Sequence, residues 1–172
     1  GVQTCALPIS KEAFVGEMNR QARILGMTAT HWANPNGLPE PTQMSTARDL
    51  GILARALLRE FPEADELWHL PGIQYGAEVI RNHNHLIDHF PGADGMKTGF
   101  ICASGFNVVA TATRGNKRLV AVVLGARSAR QRAEIAAELF TNGFEGTGAG
   151  LFGRFSAPES RSEEHTSELQ SH

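Results

Sequence analysis

Cysteines, long apolar runs and clustered basic residues are all scarce in this 172-residue chain. Its two cysteines, Cys5 and Cys102, are too few for a disulfide framework and are not spaced as a zinc knuckle. The longest apolar run, LVAVVLGA, is far shorter than the roughly 20 residues that span a bilayer. Because lysines and arginines are scattered along the chain, we expect no nucleic-acid partner.

The whole chain has the composition of one globular domain, but its two ends differ from its middle. Hydrophobic residues make up 41% and charged residues 20%, with a formal net charge of −2. The stretches GVQTCALPI and RSEEHTSELQSH resemble translated sequencing adapters. We therefore expect residues 1–9 and 158–172 to be foreign to the protein, the latter disordered, and residues 10–157 to be a fragment of a longer protein.

Apolar spacing predicts two helices in the first half of the chain. The first begins at Ser10 and is closed by Gly26, and the second begins at Ser45 or Thr46 and is stopped by Pro62. The intervening stretch THWANPNGLPEPTQMSTARD is rich in proline, glycine and asparagine, which favour turns. It therefore predicts a loop between the helices.

The second half changes to the period of β-strands. FNVVATAT and RLVAVVLGA predict two strands joined by a tight turn at RGNK, and a further strand starts near Met96. Ser128 and Gln131 then stand at capping-box spacing before a helical stripe. The fold class predicted is α+β, with a helical part followed by a three-stranded antiparallel meander and a C-terminal helix packed on the sheet.

A Lys-Thr-Gly triplet within GADGMKTGFICASGFNVV opens the first of these strands. Lys97 supplies a fixed positive charge for a site beside a nucleophile, the Thr98 hydroxyl can bind a carboxylate, and Gly99 lets a substrate backbone approach. A peptide added to the strand edge would be held by main-chain hydrogen bonds, with the Phe100 N–H placed to stabilise an oxyanion. Alone, the triplet also fits a chance occurrence in a surface strand.

The flanking sequence makes the triplet specific. K-T-G forms one motif set with S-x-x-K and S-D-N in penicillin-binding proteins and class A β-lactamases. The segments FVGEMNRQARILGMTATHWANPNGLPEPTQMSTARDLGILARALLREFP and NHNHLIDHFPGADGMKTGFICASGFNVVATATRGNKRLVAVVLGARSARQRAE resemble the D-alanyl-D-alanine carboxypeptidases. These are the S11 serine peptidases, or low-molecular-mass penicillin-binding proteins. The resemblance, from Phe14 to Phe144, implies an incomplete penicillin-binding protein or β-lactamase-like fold.

The resemblance also implies roles for individual residues. Lys97 and Thr98 would face the active serine and the terminal carboxylate of the substrate, with Gly99 completing the triplet. Phe100 takes the oxyanion-hole position, and Arg132, in ARQRAE, matches an arginine that helps hold the carboxylate. The alternative for Arg132 is an exposed helix arginine with no part in the site.

The reaction implied is acyl transfer through a serine ester, without a cofactor. The enzyme would remove the terminal D-Ala from peptidoglycan stem peptides ending in D-Ala-D-Ala, and β-lactam antibiotics would acylate the same serine. Such a substrate implies a periplasmic location, whereas membrane anchoring stays open. A β-lactamase or a non-catalytic penicillin-binding homologue of the same fold is an alternative.

Neither S-x-x-K nor S-x-N occurs anywhere in the chain. The resemblance places both motifs upstream of Ser10, so the nucleophile and its lysine base would belong to the longer protein. We therefore expect this chain to be inactive by itself.

Two other chemistries stay open at the level of sequence. NHNHLIDH brings His83, His85, Asp88 and His89 within seven residues, and a metal-binding protein would place His83 and His85 on one strand face. His83 also stands where some relatives carry arginine, which leaves its contact with substrate open. A cysteine hydrolase using Cys102 is the other alternative, although the apolar context of Cys102 favours packing within a strand.

Overall fold

The computed structural model describes residues 10–146 of the chain, which contain five α-helices and five β-strands. The helices are α1 (Lys11–Ile24), α2 (Ala47–Glu60), α3 (Asp65–Trp68), α4 (Leu86–His89) and α5 (Ala129–Glu145). The strands are β1 (Gly72–Tyr75), β2 (Glu78–Arg81), β3 (Ala93–Ile101), β4 (Gly105–Arg114) and β5 (Lys117–Ala126). In this part of the chain, every helix is too short or too polar to cross a membrane. The expectations for residues 1–9 and 158–172 lie outside the described residues.

Both helices predicted for the first half are confirmed, with their ends. The Ser10 hydroxyl caps α1 by accepting a backbone N–H at 3.1 Å, and Gly26 follows the helix at φ +77°. Thr46 caps α2 in the same way at 3.2 Å. Pro62 begins a short 3-10 turn directly after α2, because its ring cannot continue the α-helical hydrogen bonds.

Side-chain amides organise the predicted loop between these two helices. The side-chain oxygen Oδ1 of Asn19 accepts the Trp32 N–H at 2.8 Å, and Oδ1 of Asn34 accepts the Gly37 N–H at 2.8 Å. Gln43 accepts the Asn34 N–H at 3.0 Å. These side-chain hydrogen bonds satisfy backbone groups that have no partner in a helix or strand. The loop therefore has a defined path without regular secondary structure.

The predicted antiparallel meander is confirmed, in the order β3-β4-β5. Its first strand starts at Ala93 rather than near Met96, since pairing with β4 continues past Gly95 and across a bulge at Asp94 to Ala93. The Asp94 carboxylate accepts the Thr113 hydroxyl at 2.7 Å and lies 3.2 Å from the Arg118 guanidinium. The bulge is therefore tied to β4 through Thr113 and to β5 through Arg118.

The sheet lies between α5 on one face and α2 on the other. The core between the sheet and α5 is formed by side chains that alternate along β4 and β5, namely Val108, Ala110, Ala112, Ala121 and Val123, together with Ala136 and Phe140 of α5. On the opposite face, Gly51 of α2 packs towards Val122. This three-layer arrangement confirms the predicted helix across the sheet and fixes the direction of each side chain on β3.

A two-stranded ribbon and the short helix α4, which the sequence analysis did not predict, connect α3 to β3. Strands β1 and β2 pair with Ile73 opposite Ile80, and both side chains are exposed. After the ribbon, the Asn84 side chain is buried and donates to the Gly95 carbonyl at 3.1 Å. Residues 82–90 are thereby held against the start of β3.

Candidate active site

The Lys-Thr-Gly triplet lies in the middle of β3, at the edge of the sheet. Lys97 pairs with Val109, Thr98 with Val108 and Gly99 with Asn107 on β4. Within residues 10–146, no strand pairs with the other side of β3. The outer backbone groups of β3 therefore have no neighbouring strand in these residues, and the binding of an extended peptide there stays a prediction.

Strand alternation sends the two polar side chains of the triplet to opposite faces of this edge. Thr98 shares the α5 face with Val108, whereas Lys97 shares the α2 face with Val109. Lys97 is exposed, and its ammonium donates to the Thr98 carbonyl. A Cβ on Gly99 would meet no atom within 4 Å, so the space over the triplet is open to a ligand.

Phe100 follows the triplet and packs across the pair of strands. Its ring lies 4.2 Å from the Phe106 ring, centroid to centroid, although 53% of the residue stays exposed. The two rings fix the end of β3 against β4. The oxyanion role of the Phe100 N–H stays a prediction.

Arg132 is buried, with 5% of its surface exposed, so the alternative of an exposed helix arginine is wrong. Its guanidinium donates to the His83 carbonyl at 3.0 Å and to the Asn107 carbonyl at 3.3 Å. Burial lowers the pKa of Arg132, because desolvation disfavours the charged form. No acidic side chain in residues 10–146 forms an ion pair with it. A buried cation without a counterion is well suited to binding an anion.

The geometry brings Arg132 close to the triplet in the sheet. Asn107, whose carbonyl accepts from Arg132, is the β4 partner of Gly99. The guanidinium therefore reaches the sheet one strand away from Lys-Thr-Gly. His83 reaches the same place through its main chain, while its side chain is exposed. Contact between the His83 imidazole and substrate stays a prediction.

The metal-site alternative loses its structural basis, and Cys102 does not lie where the sequence analysis expected it. His83 lies in a bend and His85 in a turn, so the expectation that they share a strand face is wrong. Among the described residues, no three His, Cys, Asp or Glu side chains are grouped to hold a metal ion. Cys102 lies exposed in the β3–β4 turn, because β3 ends at Ile101, and its expected packing within a strand is also wrong.

Asn107 is the residue at this site that sequence reasoning missed. Its side chain bonds to Ser104, Gly105 and Gly125, and its carbonyl bonds to Arg132. The available signal was an asparagine inside the apolar run FNVVATAT, since asparagine is depleted in strands. Such a residue needs a specific hydrogen-bonding reason to stand there.

This chain is similar in sequence to the D-alanyl-D-alanine carboxypeptidases. The family model described as D-alanyl-D-alanine carboxypeptidase matches residues 6–128. D-alanyl-D-alanine carboxypeptidase DacC of Escherichia coli K12 is 40% identical over 136 residues, and DacA of the same strain is 35% identical over 136 residues. Each match covers 78% of this chain and 34% of the relative, so the chain spans about a third of the length of these curated relatives.

Solved structures agree in fold as well as in sequence. Penicillin-binding protein D2 of Listeria monocytogenes, in its cefotaxime-bound form, superposes with a TM-score of 0.71 at 34% identity, over 76% of this chain and 55% of that one. Penicillin-binding protein 5 of Haemophilus influenzae gives a TM-score of 0.73 at 34% identity, over 77% and 39%. The predicted fold is confirmed, and the chain belongs to the D-alanyl-D-alanine carboxypeptidase family of serine peptidases.

Proposed function

We propose that this chain is part of the catalytic domain of a serine-type D-Ala-D-Ala carboxypeptidase, called here the parent enzyme. In this proposal, residues 10–157 form the C-terminal part of that domain, and residues 1–9 and 158–172 are foreign to it. One observation carries it: the buried Arg132 guanidinium, without an acidic partner in the described residues, lies one strand away from an open edge bearing Lys97 and Thr98. This arrangement suits an extended peptide that ends in a carboxylate.

The bound peptide would lie antiparallel to the outer edge of β3. Its terminal carboxylate would accept from the Thr98 hydroxyl and from Arg132, which uses two of its five N–H donors on main-chain carbonyls. The Lys97 ammonium would lie beside the serine on the other face of the edge. The Phe100 N–H would donate to the oxygen of the scissile carbonyl as it becomes negative.

The reaction follows from these positions together with the S-x-x-K serine and lysine of the parent enzyme. The serine oxygen attacks the carbonyl of the penultimate D-Ala while the lysine takes its proton. The C–N bond then breaks, and the released D-Ala amine gains a proton. Water hydrolyses the serine ester, returning the free serine and a shortened peptide. The residues of this chain bind, orient and stabilise charge in both steps.

β-Lactam antibiotics are the second class of ligand that we propose. Penicillin-binding protein D2, similar to this chain, is known in cefotaxime-bound and ampicillin-bound forms. A β-lactam carries a carboxylate beside a reactive amide, so it would use Thr98, Arg132 and the open edge of β3 as the peptide does. Because peptidoglycan is the substrate, we place the parent enzyme in the cell envelope, facing the periplasm.

The test is release of D-Ala from a peptide ending in D-Ala-D-Ala by the purified parent enzyme. We expect release of one D-Ala per peptide and a long-lived covalent adduct with fluorescent penicillin. Rapid hydrolysis of penicillin without D-Ala release would favour the β-lactamase alternative. Absence of both activities would favour the non-catalytic homologue and contradict the proposal.

A further inference from the structure

We propose that Asn107 is a positioning residue that sets the Arg132 guanidinium against the substrate carboxylate. The inference rests on the proposed function, because it assigns how the carboxylate site of that enzyme is held in place. Asn107 lies near the start of β4, the central strand, where it pairs with Gly99 of the Lys-Thr-Gly triplet.

The first observation is a bulge in β5 opposite Asn107. Phe106 pairs with Ala126, and Val108 pairs with Val123, so the two residues between Val123 and Ala126 face the single residue Asn107. One of them, Gly125, has φ +75°, a conformation that glycine adopts without strain. The bulge interrupts the regular ladder and leaves the Gly125 N–H for a side-chain partner. Asn107 Oδ1 accepts it at 2.9 Å.

The other end of the Asn107 amide holds the turn between β3 and β4. Nδ2 donates to Ser104 Oγ at 2.9 Å and to the Gly105 carbonyl at 3.0 Å. Because the Gly125 N–H can only donate, the amide oxygen faces Gly125 and the NH2 group faces the turn. Both ends of the side chain are therefore satisfied, and its orientation is determined.

The main chain of this fixed residue then supports Arg132. The Asn107 carbonyl accepts from Arg132 Nη1 at 3.3 Å, and the second support, the His83 carbonyl, comes from a separate loop. A buried guanidinium supported at two points keeps its remaining donors in one direction. Asn107 thus couples three parts of the site: the β5 bulge, the β3–β4 turn that follows the triplet, and the arginine.

Neither aspartate nor alanine reproduces this arrangement. Alanine leaves the Gly125 N–H and the Gly105 carbonyl without their partner. Aspartate keeps an acceptor for Gly125 but turns a second oxygen towards the Gly105 carbonyl, where the two acceptors repel each other. Both changes free the bulge to shift, and a shift of about 1 Å in a positioning contact is enough to cost up to roughly a hundredfold in rate.

The experiment compares two peptides that end in D-Ala-D-Ala, one with a free carboxylate and one with a terminal amide. In the parent enzyme we expect Asn107→Ala to lower kcat/KM for the free carboxylate by about tenfold and to leave the slower amide reaction nearly unchanged. In an Arg132→Ala background the same substitution should have little further effect, because the residue acts through Arg132. Asn116→Ala, in the exposed turn between β4 and β5, is the matched control and should change neither reaction.

The outcomes separate the inference from the proposed function. Equal losses on both peptides, or the same tenfold loss in the Arg132→Ala background, would show a merely structural role and overturn the inference. If Asn107→Ala does not fold, Asn107→Asp is subjected to the same two comparisons, with the same outcomes deciding. A parent enzyme that releases D-Ala but does not distinguish Asn107 variants overturns the inference alone. One that releases no D-Ala overturns the proposed function and the inference together.

Discussion

Two cations with opposite surroundings supply the charge of the candidate site. Lys97 is exposed at a sheet edge, whereas Arg132 is buried under main-chain carbonyls. We expect the Lys97 ammonium to act mainly on the negative charge that develops in the transition state. A buried guanidinium is already positioned, so its contribution is present as soon as the substrate binds.

Replacement of Arg132 tests the carboxylate site. We expect Arg132→Ala to reduce kcat/KM of the parent enzyme for D-Ala-D-Ala peptides by about tenfold to a hundredfold, the value of a charge-assisted hydrogen bond of roughly 1.5 to 3 kcal/mol. Arg132→Lys should recover only part of the loss, because a point charge does not reproduce the planar fork. Steady-state D-Ala release measures both.

Arg130 is the matched control for this substitution. It lies on the same helix, two residues earlier, with its side chain 88% exposed and paired to Glu134 at 2.7 Å. Arg130→Ala should leave D-Ala release unchanged, because exposed pairs of this kind contribute little. Equal losses for Arg130→Ala and Arg132→Ala would reduce the role of Arg132 to general electrostatics.

At the scale of elements, the entry of β3 into the sheet depends on Gly95. This residue is buried at φ +141°, and a Cβ there would lie 2.6 Å from Trp68 Cβ of α3. We expect Gly95→Ala to destabilise the parent enzyme by at least about 1 to 3 kcal/mol, since both the conformation and the contact are unfavourable. Thermal unfolding with Gly16→Ala as control is the measurement. Gly16 lies in α1 with open space around it, so its substitution should be neutral or stabilising.

The start of α5 gives a second prediction at this scale. The Ser128 hydroxyl accepts the Gln131 N–H at 3.0 Å and caps the helix that carries Arg132. Ser128→Ala should lower the free energy of unfolding by about 1 kcal/mol, whereas Ser128→Asp, another good cap, should lower it much less. A denaturant titration that ranks the two variants equally would contradict the role of the cap.

Sequence periodicity predicted the long elements and failed for the short ones, for physical reasons. Helices α1, α2 and α5 and strands β4 and β5 are long enough to show a period and carry recognisable caps or turns. The ribbon of β1 and β2 has four residues in each strand, most of them exposed, so it gives no alternation between core and surface.

The candidate site was predictable where it is local in sequence and not where it is formed by folding. The Lys97-Thr98-Gly99 triplet is contiguous and was found directly. Arg132 was found only through family resemblance, because the apolar periodicity of α5 does not indicate that this arginine is buried. The role of Asn107 depends on a bulge in the neighbouring strand, and bulges arise from the pairing of two strands.

At the scale of the whole molecule, we predict that the 172-residue chain does not catalyse acyl transfer. It contains the residues proposed to bind substrate but no S-x-x-K serine and lysine, and groups that act as one unit lose nearly all activity together. The purified chain should release no D-Ala and form no covalent adduct with fluorescent penicillin. A stoichiometric adduct would contradict this prediction and would make Ser45, Ser104 or Cys102 the candidate nucleophile.

The same chain should also be prone to aggregation. Its described surface exposes large apolar side chains, among them Phe14, Ile24, Leu38, Met44, Phe61, Leu67, Ile73, Tyr75 and Val79. Exposed apolar surface and open strand edges both favour association between copies. Light scattering at increasing protein concentration should therefore show oligomers, whereas the parent enzyme should stay dispersed; a chain that stays monomeric would contradict this expectation.

The most direct test of the proposed active site is the rate at which penicillin acylates the parent enzyme with and without Lys97. Stopped-flow labelling with fluorescent penicillin should show that Lys97→Ala slows acylation by about a hundredfold or more, because the ammonium acts mainly in the transition state. Lys11→Ala, an exposed lysine at the start of α1, serves as control and should be acylated at the wild-type rate. Acylation of Lys97→Ala at the wild-type rate would contradict the assignment of the Lys-Thr-Gly triplet to the active site.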